Sequence, residues 1–276
     1  MTNSSPALNS LRQTPSTLLE NPILFVPVVI LMAFQVPQLA LQSTDPFLSG
    51  IVSLGLSSVL IVVMPFFQGG LIGMADEAID RRTTFQTFIE EGKSNYVSIL
   101  VAYFGLMAIN FLLGMIAFVG VIFGGALLFQ NGDPQSVTTG GLAVVSLIVA
   151  IVFLMYLLLL FFAQFYGQAI VLDGRNVVGG FKQSISVVRH HLVSTLGYSL
   201  IGAIVGGLAG IIFTAASVIL SPQPPAMFAL PDPSFPIVVS TALIVALAGV
   251  LVGGFLTVYS VSFYRAITGG SEKMSA

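Results

Sequence analysis

The sequence predicts an all-α, polytopic integral membrane protein, with six transmembrane helices in a single membrane domain over residues 1–276. Three observations carry that reading. The chain is 56% hydrophobic and only 7% charged, whereas a soluble domain carries roughly 25% charged residues. It contains apolar runs long enough to cross the hydrocarbon core, which takes about 20 helical residues. Its cations all fall on alternate linkers, the positive-inside pattern.

Taken in order, the spans are expected at 23–42, 50–73, 96–129, 140–171, 192–220 and 236–264. The runs are too long and too evenly apolar for alternating barrel strands, so helices are the only choice. The first eleven residues carry no Lys or Arg, and the first apolar run is longer than an h-region. It reads as a retained span and not as a signal peptide. The linkers Gln42–Ser49, Gln130–Thr139 and Ser221–Pro236 hold Asp45, Asp133 and Asp232 and no cation. Arg12, Arg81, Arg82, Lys93, Arg175, Lys182, Arg189, Arg265 and Lys273 occupy the other linkers and the tails. Both termini are therefore expected on the cytoplasmic side of the cell membrane. The proline-rich SPQPPAMFALPDPSFP is expected to lie extended across the outer face.

The cytoplasmic linkers are expected to hold short amphipathic helices. Thr83–Ser94 places Phe85, Phe88 and Ile89 on one face, and Phe181–Arg189 does the same with Phe181, Ile185 and Val188. Asn3–Glu20 is a third case, ended by Asn21-Pro22. Surface helix, span, outer loop and span then recur three times, from near Leu8, Phe85 and Phe181. This three-fold internal repeat would place a pseudo-three-fold axis along the membrane normal.

The clearest local motif is a glycine face in the fifth span: Gly202, Gly206 and Gly210, echoed by Gly249 and Gly253 in the sixth and by Gly120 and Gly124 in the third. Spacing of four lets another backbone approach closely, so these glycines are expected to pack helices within the chain or across a homodimer. Asp76, Glu77 and Asp80 neighbour Arg81, Arg82 and Lys93 and read as a salt-bridged junction. His190 and His191 point about 100° apart on a helix and do not suit one metal ion. They are expected at the membrane boundary.

No charged side chain falls near the middle of a predicted span, and proton- or sodium-coupled carriers usually need one there. Milder groups remain: Asn110, Gln68, Gln164, Tyr166 and Gln168, with Gln35 and Gln38 flanking Pro37. They fit interhelical hydrogen bonds or the lining of a polar groove, with Asn110, Gln68 and Gln164 as its candidates. Cysteine is absent, which removes disulfides and thiolate chemistry. No nucleophile elbow, phosphate loop or metalloprotease motif is present, and no basic tract suits nucleic acid.

The segment GFKQSISVVRHHLVSTLG, Gly180–Gly197, resembles the membrane domain fused to some glycerophosphoryl diester phosphodiesterases. Related uncharacterised six-span proteins of bacteria and halophilic archaea share the pattern. Phe181, Gln183, Ser184, Arg189 and Leu196-Gly197 carry the likeness, and the opening LRQTPSTLLENPILFVPVVIL resembles the N-terminal segment of the archaeal members. The resemblance implies a lipid-embedded module without known catalysis. The phosphodiesterase activity would belong to a separate domain that this sequence does not contain.

The expected function is thus a non-enzymatic membrane module without cofactor or metal. It would bind membrane lipids or a protein partner, or shape the membrane. A transporter or channel for a neutral or lipid-like solute, passing by Asn110, Gln68 and Gln164, is the alternative.

Overall fold

The computed structural model describes residues 5–34, 46–128, 139–220 and 234–272. All regular structure among them is helical. Helix α1 is Pro6–Glu20, a 3-10 turn covers Pro22–Leu24, and α2 is Phe25–Ala33. Then follow α3 (Pro46–Asp80), α4 (Phe85–Leu128) and α5 (Thr139–Ala163). The chain continues through α6 (Tyr166–Val171), α7 (Val177–His190), α8 (Leu192–Leu220) and α9 (Phe235–Glu272).

Five stretches are long and apolar enough to cross a membrane: Gly50–Asp80, Phe85–Gly125, Thr139–Val171, Leu192–Ile219 and Phe235–Gly269. A sixth is reached by counting α1 and Pro22–Ala33, bent by 95°, as one broken span. Helices of this length and composition mark a multi-pass membrane protein. The expected first span, 23–42, is described only as far as Phe34. Gln35, Pro37, Gln38, Asp45, Asp133, Asp232, Lys273 and nearly all of the proline-rich linker lie outside the described residues.

The corner between α1 and α2 forms because Asn21 ends one helix and Pro22 opens the next turn. Pro22 has no N–H to continue the ladder of α1. The buried Asn21 amide donates to Thr17 O at 3.1 Å and to Ala78 O at 3.3 Å, and its oxygen accepts the Thr83 N–H at 3.0 Å. One side chain thus fastens the corner to the end of α3 and the turn before α4.

One expectation about element boundaries is corrected. Residues 83–94 do not form a separate surface helix: the segment from Phe85 runs straight into the span as one helix. Packing on α3 explains this. Phe88 rests on Gly70, and Gly92 faces Phe66 so closely that an added Cβ would sit 2.9 Å from the Phe66 carbonyl. The fourth span keeps close to its expected bounds, Thr139–Val171, with its helix locally interrupted after Ala163.

The buried residues form three clusters. In one, Phe67 and Phe88 meet edge-on at 5.2 Å beside Met74, Ala78 and Val258. In the second, Phe165, Val188, Phe263 and Tyr264 gather around Ala169. The third joins Ile99 and Ala102 of α4 to Tyr166 and Ile170 of α6. The middle of the bundle, between these clusters, contains the site described next.

Candidate functional site

The break in the fourth span is built by side chains from other elements. With the helix interrupted at Gln164 and Phe165, the carbonyls of Phe161 and Phe162 lose their usual partners one turn on. Gln164 Nε2 turns back to donate to Phe161 O at 2.9 Å. Ser184 Oγ of α7 donates to Phe162 O at 2.7 Å and accepts the Phe165 N–H at 3.1 Å. Ser184 is fully buried, so this hydroxyl replaces water at a spot water does not reach. Phe181, one turn earlier, stacks on Tyr166 with ring centres 5.1 Å apart. Helix α7 comes this close because Gly180 faces Ile170 and the Tyr166 carbonyl. Asn176 caps the helix, accepting the Gly179 N–H at 2.8 Å, and Gly174 turns the chain into it with φ 62°.

The break aims polar groups into an open cavity of about 750 Å³ lined by α2, α3, α4, α6, α8 and α9. Tyr166 donates from its hydroxyl to Gln68 Oε1 at 3.0 Å. Gln168 Nε2 donates to Ser260 Oγ at 3.1 Å, and Ser199 Oγ donates to Gln164 Oε1 at 3.0 Å. Gly167 makes the first pair possible, since a Cβ there would lie 2.7 Å from Gln68 Nε2. Asn110 also lines the cavity, with its amide donating to Leu106 O at 2.9 Å within its own helix. Leu31, Ile61, Met64 and Leu256 supply apolar wall. No Asp, Glu, Lys, Arg or His is among the described lining residues.

The cavity therefore offers amide and hydroxyl groups in an apolar setting and no net charge. Its volume falls in the range of about 300–1,000 Å³ typical of small-molecule sites.

At the cationic end of the bundle the arrangement is different. Arg265 of α9 lies 2.8 Å from Asp80 and 3.4 Å from Asp76, and Glu77 pairs with Arg81 at 2.9 Å. Thr83 and Thr87 also donate to Glu77. The junction anticipated among α3 and its own linker thus recruits a cation from the far end of the chain. Tyr264 donates to Asp173 at 2.5 Å. His190 Nδ1 sits 2.7 Å from Ser186 O, one turn back in α7. Among the described residues no three His, Asp or Glu side chains converge as a metal site.

Residues 6–267 match the model of a family described as a domain of unknown function, DUF7847. The chain belongs to that family. No curated protein and no solved structure matches it.

In this DUF7847 chain the sequence-predicted groove residues Gln68, Asn110 and Gln164 share one cavity wall system. Tyr103, Tyr198, Thr257 and Ser260 line it too and were not legible as site residues. Single hydroxyls in apolar spans carry no spacing signal, and only the packing of α4, α8 and α9 brings them together. The glycines divide. Gly249 faces Met32 and Gly253 faces Val28, where an added Cβ would meet a neighbour at 2.7 and 3.0 Å; Gly120 and Gly124 face Ile148 and Val145. Around Gly202, Gly206 and Gly210 nothing among the described residues lies within 4 Å of an added Cβ. The close α3–α4 contact instead uses Gly69, Gly70 and Gly73, facing Ile99, Phe88 and Glu91.

Proposed function

We propose that this chain is a non-enzymatic integral membrane module whose central cavity holds an uncharged, lipid-like molecule. The observation that carries the reading is the pairing of an apolar wall with the Gln68–Tyr166 and Gln168–Ser260 hydrogen bonds, in a cavity without a charged lining residue. An ion would be poorly stabilised there, because removing its water is costly without a countercharge. A molecule with a hydroxyl, amide or ester head and an apolar tail satisfies both kinds of wall. The likeness of Gly180–Gly197 to the membrane domain of glycerophosphoryl diester phosphodiesterases supports a lipid-embedded role without adding a catalytic one.

In this proposal the protein lies in the cell membrane with both termini inside. The clustering of Arg81, Arg175 and Arg265 around two polar clefts that share Asp76 supports a single cationic end. Helices α1 and α7 then lie at the inner headgroup level. Each precedes a span, as does the first part of α4, in the order a three-fold repeat requires. A protein partner or second copy would bind from the lipid-facing sides.

Native mass spectrometry of the protein extracted in its own lipids tests the ligand. A neutral lipid-like molecule is expected on the wild-type protein. Gln68→Leu together with Gln168→Leu is expected to reduce its retention by about tenfold, the worth of two modest hydrogen bonds. Equal retention by the variant sinks the cavity as its site.

Passage of such a solute is the second reading, supported by the broken helix at Gln164–Phe165. Interrupted helices mark substrate sites in many transporters. Flux in proteoliposomes that survives Asn110→Leu and Gln68→Leu unchanged would remove it.

A further inference from the structure

A second cavity, which shares Leu106 of its wall with the central one, opens on the outside of the bundle between α4, α5 and α7. It has a volume of about 740 Å³. Ile109 and Leu113 of α4 and Met155 and Leu158 of α5 form its walls, and Ile185 of α7 lines it too. Ile109, Met155, Leu158 and Ile185 are between 40% and 48% exposed, so the trough faces the surroundings. Arg189, one turn beyond Ile185, is the single charged residue that lines it. Its guanidinium forms no ion pair or hydrogen bond among the described residues, whereas Arg81 and Arg265 are paired.

Length and charge both restrict the occupant. The lining runs from Gly105 to Leu113 on α4 and from Met155 to Ala163 on α5. At 1.5 Å per residue each wall is about 12 Å long. One leaflet of a bilayer is about 15 Å deep. The trough thus has the depth of a single acyl chain, with one cation, Arg189, in its lining. An apolar tail satisfies the walls, and a phosphate satisfies Arg189, whose planar fork suits two oxygens at once. We propose that this trough binds one acyl chain of an anionic glycerophospholipid, with Arg189 holding the phosphate. The site depends on the chain being membrane-embedded and not on the neutral ligand proposed for the central cavity.

The test uses the full chain in nanodiscs of equal parts phosphatidylglycerol and phosphatidylcholine, followed by graded delipidation and native mass spectrometry. Phosphatidylglycerol should be retained in preference to phosphatidylcholine. Arg189→Gln should lower that retention by about tenfold, and Arg189→Lys should keep part of it. Lys182→Gln removes an exposed cation from the same helix outside the trough and should change little. A phosphatidylglycerol with a photoreactive tail should crosslink between Ile109 and Leu113 or between Met155 and Leu158. Equal retention of the two lipids, no effect of Arg189→Gln, tail crosslinks elsewhere, or a crosslink between two copies of the chain would each overturn the proposal. Both leaflets carry both lipids in this test. It therefore succeeds or fails independently of which end faces the cytoplasm.

Discussion

The two ends of the bundle are held by different physics. Every buried cluster lies toward the cationic end: none includes a described residue from 32–62, 107–160 or 202–254. At the opposite end Phe118, Phe123, Leu147 and Ile211 are all more than 60% exposed. In water that exposure would be costly, but lipid tails are as apolar as the side chains, so burial drives nothing there. What fixes the cationic end is therefore not hydrophobicity alone. Close approach at glycines occurs toward both ends, at Gly70 and at Gly120 and Gly124 alike, so what sets the cationic end apart is the hydrogen bonds across the break and the Arg265 ion pairs that tie α9 to α3.

The sharpest way to break this contrast is to place the same substitution at both ends. Gly70→Val puts a Cβ 2.5 Å from the Phe88 carbonyl. Overpacking of that kind costs about 1–3 kcal/mol or more, and here backbone must move. Gly114→Val meets nothing within 4 Å and should stay within about 0.5 kcal/mol of the wild type. Denaturant titration in mixed micelles compares the two. Equal losses would mean that the half away from the ion pairs is packed as tightly as the cationic half.

Next in size is Ser184→Ala. It leaves the Phe165 N–H and the Phe162 carbonyl without their partner, at about 1–3 kcal/mol for each buried group. Because the same hydroxyl sets the break, retention of the central-cavity ligand should fall along with stability. Thermal unfolding in nanodiscs, read beside ligand retention, checks the pair of effects. Loss of stability with ligand retention intact would separate the break from the cavity.

The all-helical fold and its membrane-spanning character were legible in the sequence, because apolar length is a long signal summed over about 20 residues. The groove candidates Gln68, Asn110 and Gln164 were legible for a related reason: a polar group in an apolar span stands out. The continuity of α4 through 85–94 was not, since it depends on Gly70 and Gly92 meeting Phe88 and Phe66 in three dimensions. Nor was the break at Gln164, which has no proline or glycine to announce it. Ser184, twenty residues downstream, supplies the hydrogen bonds that make the interruption affordable. Arg265 escaped notice as a partner of Asp76 and Asp80 because nearer cations, Arg81 and Arg82, were available in sequence.

The smallest expected effect concerns the motif that looked strongest. Gly202, Gly206 and Gly210 repeat at intervals of four, as helix-packing glycines do, yet an added Cβ at any of them meets nothing within 4 Å. Glycine spacing permits close approach, but the contact also needs a second surface. Gly249 has one in Met32, and Gly206 has none among the described residues. For an isolated chain, Gly206→Ala should therefore be neutral or stabilising by up to about 1 kcal/mol, since alanine is the better helix former. Unfolding measured at several protein-to-detergent ratios decides the matter. A stability gain independent of concentration means that the face meets lipid alone. A loss that grows as the protein is concentrated means that a second copy supplies the missing surface, and the exposed end of the bundle is then packed only in the dimer.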